Sequence, residues 1–397
     1  MKFKLKEIVD ITMGQSPKSQ FYNTEGDGIP FLQGNRTFGF KYPTFDTYTT
    51  KITKEAEAGD VIMSVRAPVG ELNITPVNMC LGRGVCSLRM KNGNQEFLYY
   101  MMKYYRKQLV NKESGTVFGS VNKNDIQELE VNIPNKVDIQ TTISRFLAML
   151  DEKIELNNTI NNNLAEQIET ICTAWLSDYA PFGGVLPDDW SETPLSSIAD
   201  FVSGYSYKGT ELTESNIAMA TIKNFDRKGG FKLDGYKEIV PSSKLKDTQH
   251  AELFDTLVAH TDLTQNAEVI GNAEPVMSKS GYSDIVFSMD LVKVVPKNNH
   301  ISKFLIAAIL QDKKFKAHCL GYVNGTTVLH LSKKALPEYQ LYLPDDLSAL
   351  KPLDELVTAL YQQISANIEE ITKLEVLRDT LLPKLMSGEI DVSDIAL

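Results

Sequence analysis

The sequence predicts an α+β protein: two similar globular modules separated by two long helices that pair as an antiparallel coiled coil. Three observations predict it. The second half repeats the order of the first, since Leu5, Ile8, Asp10, Gly14 and Ser16 return as Leu195, Ile198, Asp200, Gly204 and Ser206, each 190 residues later (195 against 5). A period this long means two copies of a whole domain-plus-helix unit, not a solenoid. Each half then runs into a long stretch with apolar residues at helical spacing. Within the modules, short strands, helices and turns alternate. On this basis the chain divides into residues 1–137, 138–180, 181–346 and 347–397.

In the first module, Asp60 to Val65 reads as a strand and Glu96 to Val110 as a helix. Ala56-Glu57-Ala58-Gly59-Asp60 finds a weaker echo in Ala251 to Asp255, and the closing Gly115-Thr116, Val121, Ile126 and Pro134 match Gly325-Thr326, Leu331, Leu336 and Pro344. From Asp138 to Ala180 there is no Gly or Pro, and Pro181-Phe182-Gly183-Gly184 ends the run. Its apolar stripe is Ile143, Leu147, Leu150, Ile154, Leu164, Ile168, Ile171 and Trp175. Asn157, Asn158, Asn161, Asn162 and Asn163 interrupt that stripe. A buried Asn at a seam fixes register at a cost in stability, and the rest are expected to be solvated.

In the second module, Ile285 to Val294 reads as one strand and Ser302 to Ala317 as one helix. The second helical run lies between Pro352 and Pro383, with Leu353, Leu356 or Val357, Leu360, Ile364, Ile368, Ile371, Leu374 and Leu381 as its stripe. At about 1.5 Å per residue the two runs are roughly 60 and 45 Å long. Helices of that length outgrow a compact domain, so their seams are expected to face each other; the alternative is that each packs on its own module. The seam and partner interface is then expected at Leu150, Ile154, Leu164, Ile168, Ile171, Ile364, Ile368, Ile371 and Leu374.

At 397 residues, 42% of them hydrophobic and 23% charged, the composition is that of an ordinary soluble protein. Nothing resembles a signal peptide, and the longest clean apolar run, Phe304 to Leu310, is too short to span a bilayer. A cytoplasmic protein without a membrane partner is expected. The four cysteines show no CxxC spacing and read as free buried thiols. The net charge of −10 gathers mainly on the helical runs, while the modules are near neutral. A polyanion can therefore bind a module whose basic residues share one face.

Catalytic motifs are missing. There is no phosphate loop, no HExxH, no Asn-Pro-Pro-Tyr and no GxGxxG opening a helix after a strand. All five histidines lie in the second half, so a task common to both modules does not use them. A non-enzymatic protein without a metal is expected. What remains are polar loops that suit DNA: Gln15, Ser16 and Lys18; Gln33, Asn35 and Arg36; Asn122 and Lys123; then Tyr205, Ser206 and Lys208; Lys223, Asn224, Arg227 and Lys228; Asn324 and Thr326. Gln and Asn can pair with adenine and Arg with guanine, while Lys mostly meets phosphate. Arg66 and Arg83 join the set as arginines beside glycine-rich turns, or else are ordinary surface ion pairs.

The order module, helix, module, helix, with Gly14-Gln15-Ser16-Pro17 near the start, resembles the DNA-specificity subunit of a Type I restriction–modification enzyme. The stretch from Ser114 to Ile126, before Ile133-Pro134, is similar to the closing segment of that family's target recognition domains. The second module departs in detail: Gly204-Tyr205-Ser206-Tyr207 lacks the proline, and Leu329-His330-Leu331 replaces Gly119-Ser120-Val121. The resemblance implies that each module reads one half of a split double-stranded DNA site while the helices set the spacer. It implies methyltransferase subunits docked on helices and domains, and a motor-nuclease subunit for restriction. S-adenosylmethionine, ATP and Mg would belong to those partners, with no cofactor in this chain. Two other classes stay open: a self-sufficient enzyme with unrecognised catalytic residues, and a scaffold with two protein-binding modules on a coiled-coil spacer.

Overall fold

The computed structural model describes residues 1–111, 119–264 and 266–392. They form two compact units, Met1–Glu155 with Lys373–Leu397, and Leu156–Thr372. The sequence repeat is a repeat of architecture. In the first unit a four-stranded antiparallel sheet runs Val9–Met13, Val85–Met90, Val61–Ser64, Leu72–Ile74. In the second the order is the same: Ala199–Ser203, Leu291–Pro296, Thr256–Ala259, Ala273–Pro275. Each module also closes with a two-stranded ribbon, Lys2–Lys4 on Glu130–Asn132 and Trp190–Pro194 on Gln340–Pro344. Each has a parallel strand pair, with Phe31 opposite Cys80 and Met219 opposite Val286. The α+β class and the doubled module are borne out.

The recurring glycine has a steric cause. A Cβ on Gly14 would lie 2.0 Å from the Gly82 carbonyl oxygen, and one on Gly204 would lie 2.0 Å from that of Ser288. The same approach lets the Gly14 N–H donate to Val85 O (3.0 Å) and the Gly204 N–H to Leu291 O (3.1 Å). Gly14→Ala and Gly204→Ala are each expected to destabilise their own unit by about 2–3 kcal/mol, as overpacking against rigid backbone does. Gly209→Ala, where a Cβ meets nothing within 4 Å, is the control. Equal denaturation midpoints for all three variants would refute the steric account. The weaker echo is also a shared turn: the Glu57 N–H donates to Asp60 Oδ2 and the Glu252 N–H to Asp255 Oδ2, both at 3.0 Å. The residue before each Asp, Gly59 or Phe254, is left-handed at φ 88° and 68°.

Some elements differ from expectation. Ile285 to Val294 is two strands in two sheets, Asp284–Phe287 and Leu291–Pro296. Two β-forming runs flank a turn at Ser288-Met289-Asp290, where Ser288 and Asp290 are turn formers and the Leu291 N–H closes on Ser288 O at 2.9 Å. Ser302 to Ala317 is likewise two helices, Lys303–Leu310 and Lys313–Leu320. Asp312 caps the second by accepting from the Lys314 N–H at 2.7 Å.

The long helices span Val137–Leu176 and Lys351–Ser387. The first stops short of Ala180 because the Ser177 and Asp178 N–H groups both turn back onto Thr173 O and Tyr179 is left-handed. Pro352 and Pro383 both lie inside the second helix. Pro352 sits in the first turn, where no N–H partner exists to lose. Beyond Pro383, burial of Leu385 and Met386 in the first unit's core offsets the missing bond.

Pairing is antiparallel. In the second unit Asn157 Nδ2 donates to Glu370 and Asn367 Nδ2 to Asn161 Oδ1, both at 2.7 Å. In the first, Arg378 donates to Asp151 at 2.9 Å. Asn157 is buried at the seam, while Asn158, Asn162 and Asn163 face solvent. Ile154, Ile168 and Ile364 are buried; Leu150, Leu164, Ile171, Ile368, Ile371 and Leu374 are half-buried. The helices face each other as expected, and parts of their stripes also join the modules' cores. Ile143 and Leu147 join the first module's core, and Ile168, Cys172, Leu353 and Val357 join the second's. All four cysteines are free and buried. No described helix is long and apolar enough to cross a membrane.

Candidate nucleic-acid interface

In the first unit the polar loops converge on the tip Gly82-Arg83-Gly84. The Gly82 N–H donates to Leu32 O (2.7 Å), that of Gly84 to Gln33 O (2.9 Å), and that of Gln15 to Leu81 O (2.9 Å). The Arg83 N–H donates to Ser16 Oγ at 3.1 Å. On the far side the Val65 N–H reaches Gly84 O (2.9 Å), the Val121 N–H reaches Val65 O (3.1 Å), and Arg66 bridges Ser120. Both glycines are required: a Cβ at 82 would lie 2.5 Å from Gln33 Cα, and one at 84 would lie 2.4 Å from Gln33 O. The tip thus presents Arg83 among Gln15, Ser16, Gln33 and Arg66, all exposed except the half-buried Ser16. Among the described residues neither Arg66 nor Arg83 forms an ion pair, so the surface-pair alternative does not hold for them.

The remaining candidates of this module fall differently. Lys18 and Lys123 are exposed and Asn35 is half-buried. Arg36 is exposed, but its guanidinium donates to both Asp46 oxygens (2.9 and 2.6 Å) and holds that carboxyl below the usual range. Asn122 needs correction. It is exposed, but its side-chain oxygen accepts from the Asn124 and Asp125 N–H groups (2.8 and 3.1 Å) as the cap of a short helix, so that oxygen is already engaged. The segment from Ser114 to Phe118 lies outside the described residues.

The second unit builds the same scaffold with other side chains. The Ser288 N–H donates to Ala220 O (2.9 Å), that of Tyr205 to Phe287 O (2.8 Å), that of His260 to Asp290 O (2.8 Å), and that of Leu331 to His260 O (2.9 Å). Met289 therefore stands where Arg83 stands, and Thr261, paired with His330, stands where Arg66 does. Met289 is 56% exposed. Asp290 beneath it accepts from Thr261 Oγ1 at 3.0 Å. Burial lowers the His260 pKa, with His330 and Lys333 adding to the effect. The sequence reading missed Met289, Asp290 and His330. The signal was available, because 289 lies 206 residues after 83, between the offsets of the repeat's start and close.

Two candidates here are also corrected. Tyr205 is buried and its hydroxyl donates to Glu211 at 2.9 Å, with Ser242 at the same distance. Asn224 is buried too, its amide accepting from the Thr221 N–H (2.9 Å) and donating to Lys232 O (2.7 Å). Both brace loops from within. Ser206, Lys208, Lys223, Arg227, Lys228, Asn324 and Thr326 are exposed, although Arg227 meets Glu268 at 3.1 Å and Asn324 Nδ2 donates to Tyr322 O.

Residues 1–166 match the family model described as the Type I restriction modification DNA specificity domain. A Methanocaldococcus jannaschii protein named as the specificity subunit of the MjaX type I restriction enzyme is 37% identical over 161 residues, 40% of this chain and 37% of that one. The MjaIX specificity subunit of the same organism is 22% identical across 99% of this chain and 94% of its own length. Among solved structures, the S subunit of a Type-I restriction-modification system from M. genitalium aligns over 99% of this chain and 96% of its own. Its TM-score is 0.59 at 19% identity, a likeness of fold.

Proposed function

We propose that this chain is a DNA-specificity subunit of a Type I restriction–modification enzyme, as the family match of residues 1–166 and the full-length relative support, that each module reads one half of a bipartite duplex site, and that the paired helices set the unread spacer. One observation carries this reading: a single loop scaffold, built twice, offers an arginine at its tip in one module and a methionine in the other. The Arg83 guanidinium suits guanine O6 and N7 or a phosphate, whereas Met289 suits an apolar contact such as a thymine methyl. Two half-sites of different sequence follow.

Methyltransferase subunits dock on the helices and modules, flip the target adenine and supply S-adenosylmethionine. A motor-nuclease subunit with ATP and Mg joins for restriction. Exposed apolar side chains support docking on the helices, Leu156 and Ile160 in the second unit and Val376 and Leu377 in the first. The chain itself neither catalyses nor binds a cofactor, and it works in the cytoplasm with no membrane partner. Mapping methylated adenines in the source genome, with this gene present and deleted, is the test. One split motif should disappear on deletion; an unchanged methylation map would refute the proposal.

Within that reading Arg83 outweighs Arg36. Arg83→Ala is expected to weaken binding of the assembled enzyme to its site by about 1–3 kcal/mol. Arg36→Ala removes a guanidinium already engaged by Asp46 and is expected to cost much less. Titration of labelled duplex at fixed salt decides, and a larger loss for Arg36→Ala would reverse the ranking.

A further inference from the structure

The middle residue of the sheet's edge strand performs one task in both modules with different chemistry. Asn73 lies opposite Ile62 and Glu274 opposite Leu257, and both partner strands follow the repeated Asp turn. Asn73 and Glu274 are therefore one position of the repeat. Both are buried. Asn73 accepts from the Gly39 N–H and donates to Gly39 O, each at 3.0 Å. Gly39 closes the loop that carries Gln33, Asn35 and Arg36. Glu274 Oε1 accepts from the Gly230 N–H at 2.7 Å. Gly230 closes the turn that carries Arg227 and Lys228, with the Asp226 N–H donating to Gly230 O at 3.0 Å.

Only the second clamp is ionisable, and only it is wired further. Glu274 Oε2 accepts from Gln311 Nε2 at 2.9 Å, and Gln311 Oε1 accepts from the Tyr361 hydroxyl on the second long helix at 2.5 Å. We propose that Asn73 and Glu274 are the positioning residues of the two reading loops, and that the acid in the second makes its half-site's recognition depend on pH while the first stays indifferent. The proposal rests on each module being a reader.

Ionised, Glu274 accepts from Gly230 and Gln311 at once. Protonated, one oxygen becomes a donor facing a donor, and the Gln311 amide cannot rotate to help without breaking its bond to Tyr361. With the proton on Oε1 the turn loses its anchor; with it on Oε2 the link through Gln311 to Tyr361 is lost and the clamp on the turn loosens. Burial pushes the Glu274 carboxyl up to about 7; the Gly230 and Gln311 hydrogen bonds pull it down, Asp226 on the turn raises it, and Lys316 on the neighbouring helix lowers it. Lys316 is itself held by Asn272 Oδ1 and Glu268 O. Because the folded pKa lies above the ordinary 4.5, Glu274's contribution to stability is lost as pH rises toward and through about 7. Recognition moves the other way and improves over the upper part of that range. A merely structural residue would move both together.

The test uses the full chain assembled with its methyltransferase subunits. The probes are duplexes bearing the mapped methylated motif, or single-base variants in one half, in competition binding from pH 6 to 8.5. Preference against second-half variants should fall several-fold toward pH 6 while first-half preference holds. Glu274→Gln should flatten the second-half profile, and Asn73→Asp should give the first half a slope. A flat wild-type second half, an equal fall in both halves, or an unaltered profile in Glu274→Gln would overturn the proposal. The wild-type profile needs no variant to fold. Absence of preference for either half at every pH would instead sink the two-reader function beneath it.

Discussion

Methyltransferase subunits assembled on a chain whose residues 181–346 are exchanged for the corresponding module of another specificity subunit are expected to methylate a hybrid sequence, one half unchanged and the other new. The second module enters through Trp190–Pro194 and leaves through Gln340–Pro344, strands that pair with each other, so a graft begins and ends at one place. Its tip residues are held by backbone bonds within the module, and none needs the first. The graft must still accept Ile168, Cys172, Leu353, Val357 and Tyr361 from the helices, which share its core. Methylation mapping reads the result. Simultaneous change in both halves would show that the modules do not read independently.

Asp151→Ala is expected to lower the stability of the first unit by about 3–5 kcal/mol, the cost of stranding a buried charge's partners. The Asp151 side chain is fully buried in the first helix, where Arg378 of the second donates to it at 2.9 Å and the Tyr100 hydroxyl at 2.7 Å; Lys103 stands 3.7 Å away. The Arg378 side chain is only 13% exposed. Removing the carboxylate therefore leaves a buried hydroxyl without its acceptor and the guanidinium with Asp379 alone, to which its Nε donates at 2.8 Å. Asp151→Asn, which keeps an acceptor oxygen, should fall between. The denaturant midpoint of the purified chain measures the difference, and a loss below about 1 kcal/mol would place the cluster among solvent-screened surface pairs.

The parts legible in the sequence were those set by spacing. The repeat of Gly14 as Gly204 was visible because one steric conflict forces glycine in both modules. The helical runs were visible because thirty or more residues repeat one stripe. Continuity misled where two elements of like pattern abut: the apolar residues on both sides of Ser288-Met289-Asp290 outweighed the turn signal of Ser288 and Asp290, and Asp312 was read as helix interior when it is a cap. Among the candidate contacts, a polar residue in a turn can face outward or brace the turn from beneath. Tyr205, Asn224 and Asn122 brace, Gln33 and Arg83 face out, and residue type alone does not separate the two. Met289 escaped notice for the opposite reason, an apolar side chain in a position that the first module gives to arginine.

Leu385, Met386 and Val392 complete the same core as Leu5 and Val9. A ribosome makes those partners at nearly opposite moments. Residues 156–372, which form the second unit unbroken, emerge in between. Nascent chains usually fold their leading domain first. Here the leading module is incomplete until the helix past Lys373 has been synthesised, so the later-made unit is the one expected to settle earlier. Translation that halts before that point would leave a finished second reader tethered to an open first one. Synthesis past Lys373 thus becomes a condition for the first module's core to close.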